Sequence, residues 1–317
     1  MLIAYGTYAM PNTPLEEAAP MLKDIGFDGV EICVGPEHVL SMPEEQDATR
    51  RHQLRELLVD LRLGIPALMV MGHLLPRDEE QHQRGLEHMR RCVQLARDLG
   101  MAEPPIVSMG IGGKSADWES ERDRIINTLG DYDKLAAEEG FILAAEAHCG
   151  AAVDRSERAL HVIHSVSSPR IRLHFDVVHF YLSGEKEAEA VECLLPITEH
   201  THITDARKHE DGSFDLLLLG QGDLDSVAYV KAMDAAGWDD FITLEVSKHV
   251  WGQDGYDVEA AARTSYDALT GAFAAAGVEI ISMTTPLRLS QLLLIELATV
   301  CRHPDIDVEI LSKLVPR

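Results

Sequence analysis

Aromatic residues make up only 5% of this 317-residue chain, and no apolar run comes near the length a bilayer-spanning helix needs, roughly 18 to 20 residues. The first apolar run, residues 2–5, is also too short for the core of a signal peptide, so a cytoplasmic protein with no membrane contact is expected. The five cysteines (Cys33, Cys92, Cys149, Cys193 and Cys301) are odd in number, scattered, and never form a CxxC. That excludes a disulfide framework and a cysteine-based zinc site as organising devices. Basic residues are scarce: 28 Lys and Arg stand against 53 Asp and Glu, for a formal net charge of −25. Nucleic acid is therefore not an expected partner, because that affinity is built on cations neutralising phosphates. No GxGxxG or GxxxxGK[ST] loop follows the first strand-like run, and Gly110-Ile111-Gly112-Gly113-Lys114 lacks the spacing of a phosphate loop.

What is present is a globular composition, 46% hydrophobic and 26% charged, arranged in a repeating rhythm. Short apolar runs, which read as strands, occupy residues 2–6, 29–33, 65–70, 106–110, 141–147, 171–175, 200–204 and 241–246. Amphipathic, helix-like segments follow each of them, at 13–25, 44–61, 78–99, 117–139, 154–166, 185–195, 223–236 and 257–276. Thr13 and Asp154 read as helix caps, while Gly26, Gly64, Gly100, Gly140 and Gly237 read as stops. Eight such pairs predict an α/β fold, a (β/α)8 TIM barrel over residues 1–277. Residues 278–317 break the rhythm. The apolar run 287–300 predicts a C-terminal helical extension, which either packs beneath the barrel or contacts another subunit, as a homo-oligomer or with a partner chain.

In such a barrel the reacting groups stand at the C-terminal ends of the strands. There the sequence delivers Glu146, Asp176, His202 and Glu245, on four consecutive strands. Each interrupts an otherwise apolar run, where an unpaired carboxylate would cost several kcal/mol. The strands hold few Lys or Arg to pair with them, so one divalent ion is the expected compensation. Three carboxylates and one imidazole suit Mn2+ best, with Mg2+, Co2+ or Zn2+ as alternatives. Such an ion would polarise a substrate carbonyl and acidify its neighbouring C–H, with Glu146 and Glu245 moving protons.

The same run of motifs resembles the xylose-isomerase-like superfamily, which holds sugar isomerases, epimerases, keto-cyclitol dehydratases and the endonuclease IV enzymes. The matching residues are Gly29-Val-Glu-Ile32, Glu146-x-His148, Asp176-x-x-His179, His202-Ile-Thr-Asp205, Gly220-x-Gly-x-Leu-Asp225 and Thr243-x-Glu245. The resemblance implies that Glu146, Asp176, His202 and Glu245 are the metal ligands, that His179 meets substrate oxygens, and that Arg207 or Lys208 supplies a basic substrate-binding group. His148, two residues beyond Glu146, could be an acid or base or a donor behind the ligands. His73, after the third strand, and Glu31, at the end of the second, are expected to face the mouth and substrate. The chain departs from the family at Thr204, where a lysine is usual, and it lacks the further histidines of the trinuclear endonuclease branch.

The expected function is metal-dependent isomerisation or epimerisation of a sugar or related polyhydroxy ketone, by proton abstraction beside the polarised carbonyl. The alternative enzyme is a dehydratase or lyase acting on a keto-cyclitol or 3-keto glycoside, inosose-dehydratase-like or cleaving a C-glycoside. All begin with the same proton abstraction. A sugar-binding barrel without catalysis is the third reading.

Overall fold

Side chains alternate across a strand, and here the alternation sorts chemistry. In β2 (Gly29–Val34), Val30, Ile32 and Val34 pack into the hydrophobic core while Glu31 sits on the opposite face, fully buried. In β6 (Ile171–Asp176) the core row is Ile171, Leu173 and Phe175, and His174 and Asp176 turn the other way. In β7 (Thr198–Ile203) His200 and His202 share a face and Ile203 belongs to the core. The apolar rows bury themselves beneath the helices, and the polar rows are left to fill the barrel interior.

The computed structural model describes residues 1–281. The remaining strands of the barrel are β1 (Leu2–Gly6), β3 (Leu68–His73), β4 (Ile106–Gly110), β5 (Ile142–Glu146) and β10 (Phe241–Leu244). With β2, β6 and β7 they close in the order β1-β10-β7-β6-β5-β4-β3-β2, every neighbouring pair parallel. Eight helices cover the strands: α1 (Leu15–Ile25), α2 (Ala48–Leu61), α3 (Glu79–Asp98), α4 (Trp118–Glu139), α5 (Ser156–Val166), α7 (Glu187–Leu194), α8 (Ser226–Ala235) and α10 (Val258–Ala276). This is the expected (β/α)8 barrel, and residues 1–280 form one compact unit. The expected helix at 287–300, and most of the 278–317 extension, lie outside the described residues. Among the described residues no helix is long and apolar enough to cross a membrane.

Several local expectations fail for physical reasons. Thr13 does not cap α1, whose first turn follows Pro14, and Asp154 does not cap α5 but pairs with Arg155 and Arg158. Side-chain caps come instead from Asp47, Asp78, Asp225 and Asp257, each accepting a first-turn backbone N–H. α2 stops at Arg62, in the left-handed region at φ +52°, rather than at Gly64. Gly64 has another role: a Cβ there would lie 2.8 Å from the Phe241 ring, which occupies the bottom of the barrel. β3 begins at Leu68 rather than residue 65 and runs on to His73 through a register shift against β4. Besides short 3-10 turns, three features among the described residues were not anticipated: α6 (Val177–Leu182), the hairpin of β8 (Asp205–Lys208) and β9 (Phe214–Leu217), and α9 (Lys248–Trp251). All three follow the C-terminal end of a barrel strand, where loop length is free to vary.

The hairpin is pinned by Asp205. Its buried carboxylate accepts N–H bonds from Ala206 (2.8 Å), Gly220 (2.9 Å), Gly222 (2.8 Å) and Leu224 (3.1 Å). Gly222 is required there, since a Cβ would come within 2.3 Å of Asp205 Oδ1. The two motifs His202-x-x-Asp205 and Gly220-x-Gly222 thus form one clamp, and the clamp holds the hairpin whose Leu216 lines the barrel mouth.

Candidate metal centre and its cavity

Register brings the ligand candidates together. Asp176 on β6 lies directly opposite His202 on β7, and Glu146 on β5 lies opposite His174 on β6. Ligand atoms of Glu146, Asp176 and His202 all fall within 4.8 Å of one another. Glu245, one residue past β10, brings Oε2 to 3.5 Å from His202 Nδ1. Three side chains from consecutive strands therefore converge at the barrel mouth, and Glu245, 99 positions from Glu146 in sequence, stands against His202 there.

Below that point, hydrogen bonds fix the orientation of His202. Its Nε2 donates to both oxygens of Glu31, at 2.9 and 3.0 Å, and His200 Nε2 donates to the same carboxylate at 2.7 Å. A carboxylate can only accept, so Nε2 carries the proton and Nδ1 is turned toward Glu146, Asp176 and Glu245. Burial pushes the Glu31 carboxyl upward, but His202 and His200 outweigh it and hold its pKa at about 2. Gly6 makes room for this carboxylate: a Cβ there would stand 3.0 Å from Glu31 Oε2. Deeper still, Ser108 Oγ and His174 Nδ1 are 2.6 Å apart, and the His174 ring stands edge-on to His202. His174, His200 and His202 also cluster closely enough to chelate, but Glu31 already occupies two of their nitrogens, so the trio reads as a hydrogen-bonded floor.

The electrostatics of the upper group are those of anions short of a cation. Burial, then the Glu245 charge, raises Glu146 and Asp176 above the usual carboxylate range, with Glu31 adding to both. Burial opposes charging of His202, yet Glu31 and Glu245 raise it well above an ordinary imidazole. Two atoms aimed at the centre, Asp176 Oδ2 and His202 Nδ1, are buried with no hydrogen-bond partner. Asp176 Oδ1 is satisfied by the Val178 N–H at 3.1 Å. A divalent cation fits this donor set, because it would satisfy both orphaned atoms and offset the crowded charge in one step.

Above the centre opens a cavity of about 610 Å³. Tyr8, Thr204, Glu245 and Ser247 line one part of it, and His148 and His179 another. Met69, Val70, Met71, Gly72 and Gly110, from β3 and β4, form an apolar wall. No Lys or Arg lines it among the described residues. A groove of similar volume, about 620 Å³, runs between α7 and α8, but Glu192 is the one titratable side chain lining it and it offers no chemistry.

The expected site residues divide accordingly. His179 lines the cavity with Nε2 3.5 Å from Asp176 Oδ2 and 3.8 Å from Glu146 Oε1, and burial holds it well below an ordinary imidazole. His148 is not on the strand, which ends at Glu146; it stands in the loop beyond, its ring centroid 3.6 Å from that of His179. His73 lines the cavity as the last residue of β3, turned inward by the register shift after Met69. Three expectations are corrected. Glu31 does not face the substrate: it is at 0% exposure in the middle of β2, beneath His202. Arg207 and Lys208 stay out of the cavity, because the hairpin carries them outward, Arg207 to the Gln221 carbonyl and Asp223, Lys208 to the Tyr181 carbonyl and ring. Tyr8 and Ser247 were not singled out, although both stand just past a strand end, the positional rule that found the ligand candidates.

Residues 20–272 match the family profile described as xylose isomerase-like TIM barrel. Over 266 residues, 83% of this chain and 91% of the relative, the sequence is 21% identical to the L-ribulose-5-phosphate 3-epimerase UlaE of Shigella flexneri. Among solved structures, the IolI protein with a bound zinc atom superposes with a TM-score of 0.73 at 19% identity, covering 87% of this chain and 99% of that one. An L-ribulose 3-epimerase superposes with a TM-score of 0.69 at 20% identity, covering 92% and 97%.

Proposed function

The chain belongs to the xylose isomerase-like TIM-barrel family, and from that premise and the site geometry we propose that it is a divalent-metal-dependent isomerase or epimerase of an unphosphorylated sugar or related polyhydroxy ketone. The observation that carries the reading is the convergence of Glu146, Asp176, His202 and Glu245 around two orphaned buried atoms. A divalent ion held there, Mn2+ by the hardness of the donors, supplies Lewis-acid polarisation of a substrate carbonyl.

The chain's own groups do the rest. Glu146 and Glu245 reach the centre from strands with two others between them, so they approach a bound substrate from different sides. One takes the proton from the carbon beside the carbonyl, and the other returns a proton on the opposite face, which inverts that carbon. His179 and His148 hydrogen-bond substrate hydroxyls at the rim, and the Met69–Met71 wall covers the carbon skeleton and excludes water. The curated relatives named for a phosphate ester frame the substrate choice. A phosphoryl group needs cations or a cluster of donors, and the cavity lining carries neither Lys nor Arg. A neutral substrate fits this acidic site better.

One observation also favours elimination as a second reading. The His148 and His179 rings lie with centroids 3.6 Å apart and tilted by 37°, His179 beside Glu146, where an imidazole could protonate a leaving group. Incubating Mn2+-loaded protein in D2O with free ketoses, ketose phosphates, inososes and 3-keto glycosides separates these readings by label and product. Label entering a free ketose with inversion is the expected result; label entering only the phosphates would overturn the substrate class, and no label in any substrate would overturn the activity.

A further inference from the structure

The loop after β5 holds a second group of ligand atoms beside the carboxylate centre. His148, Cys149 and His179 each offer one donor atom, and these atoms lie within 4.8 Å of one another. The hydrogen bonds say which nitrogens are free. His148 Nδ1 lies 2.9 Å from the Cys149 carbonyl oxygen, which can only accept, so Nδ1 carries the proton and Nε2 the lone pair. His179 turns Nε2 toward Asp176 and Glu146, while its Nδ1 is buried with no hydrogen-bond partner, on a residue only 4% exposed. Neither nitrogen is used by the hydrogen-bond network that organises the barrel floor.

We infer that His148, Cys149 and His179 form a second cation site, selective for a soft divalent ion of the zinc type and separate from the oxygen-rich centre. Two imidazoles and a thiolate are the donor set of tetrahedral zinc sites, with water or substrate left for the fourth position. The carboxylate centre ranks ions by hardness, and this one ranks them the other way. The thiol gives up its proton to solvent as the Cys149 sulfur takes the ion, so one proton is released per ion bound there. Occupancy withdraws both rim histidines from the cavity. A soft ion here therefore inhibits whatever reaction the hard ion supports, and the site acts as a brake set by free zinc.

Cobalt(II) reads the site directly, because a thiolate ligand gives cobalt a charge-transfer absorption in the near ultraviolet that an all-oxygen and imidazole centre does not. Titrating the metal-free full chain with Co2+ should produce that band as the second equivalent binds, and Zn2+ should bleach it. Cys149→Ser should abolish the band and lower bound zinc from two equivalents per chain to one, and Cys149→Ala should do the same, while Cys193→Ser retains both. Zinc inhibition of the Mn2+-loaded protein should disappear in Cys149→Ser with its uninhibited rate unchanged. A wild-type protein without the band, or a band that survives in Cys149→Ser, would overturn the site.

Discussion

The two halves of the barrel mouth are built from opposite materials. From β5 round to β10 the strand ends carry Glu146, Asp176, His202 and Glu245, with Glu31 buried beneath them. Across the cavity, β3 and β4 offer Met69, Val70, Met71, Gly72 and Gly110, with His73 as their one titratable group on the lining. Both halves belong to one closed parallel barrel, and the difference is one of side chains together with the register shift that β3 makes against β4. It teaches a division of labour: one arc concentrates acidic groups that crowd one another, and the other leaves open space and an apolar surface.

The comparison can be broken most severely on the charged arc. Asp176→Asn or His202→Gln should empty the centre of metal and lower turnover by about 10³-fold or more, since metal polarisation is worth several kcal/mol and each 1.4 kcal/mol is about tenfold. Steady-state kinetics with metal analysis of the same samples would show the two losses together. Glu31→Gln is expected to weaken metal affinity by about 10- to 100-fold, because Gln can still fill the space but no longer fixes the His202 proton on Nε2. Isothermal titration of the metal-free variant measures it.

A pH series sharpens the same half. Asp176, raised to about 7, and Glu146, raised well above 4.5, bind protons more tightly in the folded than in the unfolded chain. Their contribution to stability is therefore full below the ordinary carboxylate range and is lost as pH rises through their folded values. Metal-free protein should lose thermal stability between about pH 4 and pH 7 on this account, and metal-loaded protein should not. Identical slopes with and without Mn2+ would contradict it.

On the apolar arc the effects are smaller and differ in kind. A Cβ on Gly110 would sit 3.4 Å from His73 Nδ1 and 3.7 Å from Glu146 Oε2, so Gly110→Ala should raise KM several-fold while metal content stays at one ion per chain. Outside both arcs, Arg207→Ala and Lys208→Ala should change kcat/KM by less than about twofold, because exposed polar contacts of this kind are worth little.

Much of this was legible in the sequence because two periodicities carried it. Outward rows such as Val30-x-Ile32 and Leu173-x-Phe175 announced buried parallel strands, and a charged residue ending such a row, as at Glu146 or Asp176, announced the site. What escaped depended on contacts between distant segments. Glu31 reads as a strand-end acid until the structure seats it under His202, 171 positions away. The family resemblance puts Arg207 or Lys208 on the substrate, and nothing local betrays the Asp205 clamp that folds their strand outward. His73 could be placed at the mouth, but not the register shift that turns it inward.

Metal uptake by the full chain probes the central claim most directly. Protein stripped with a chelator, reloaded with Mn2+ and freed of excess ion should retain one Mn2+ per chain, visible in its electron paramagnetic resonance spectrum, and Asp176→Asn and His202→Gln should retain none. Stripped wild-type protein that takes up no Mn2+, or variants that hold it as tightly as wild type, would contradict the account.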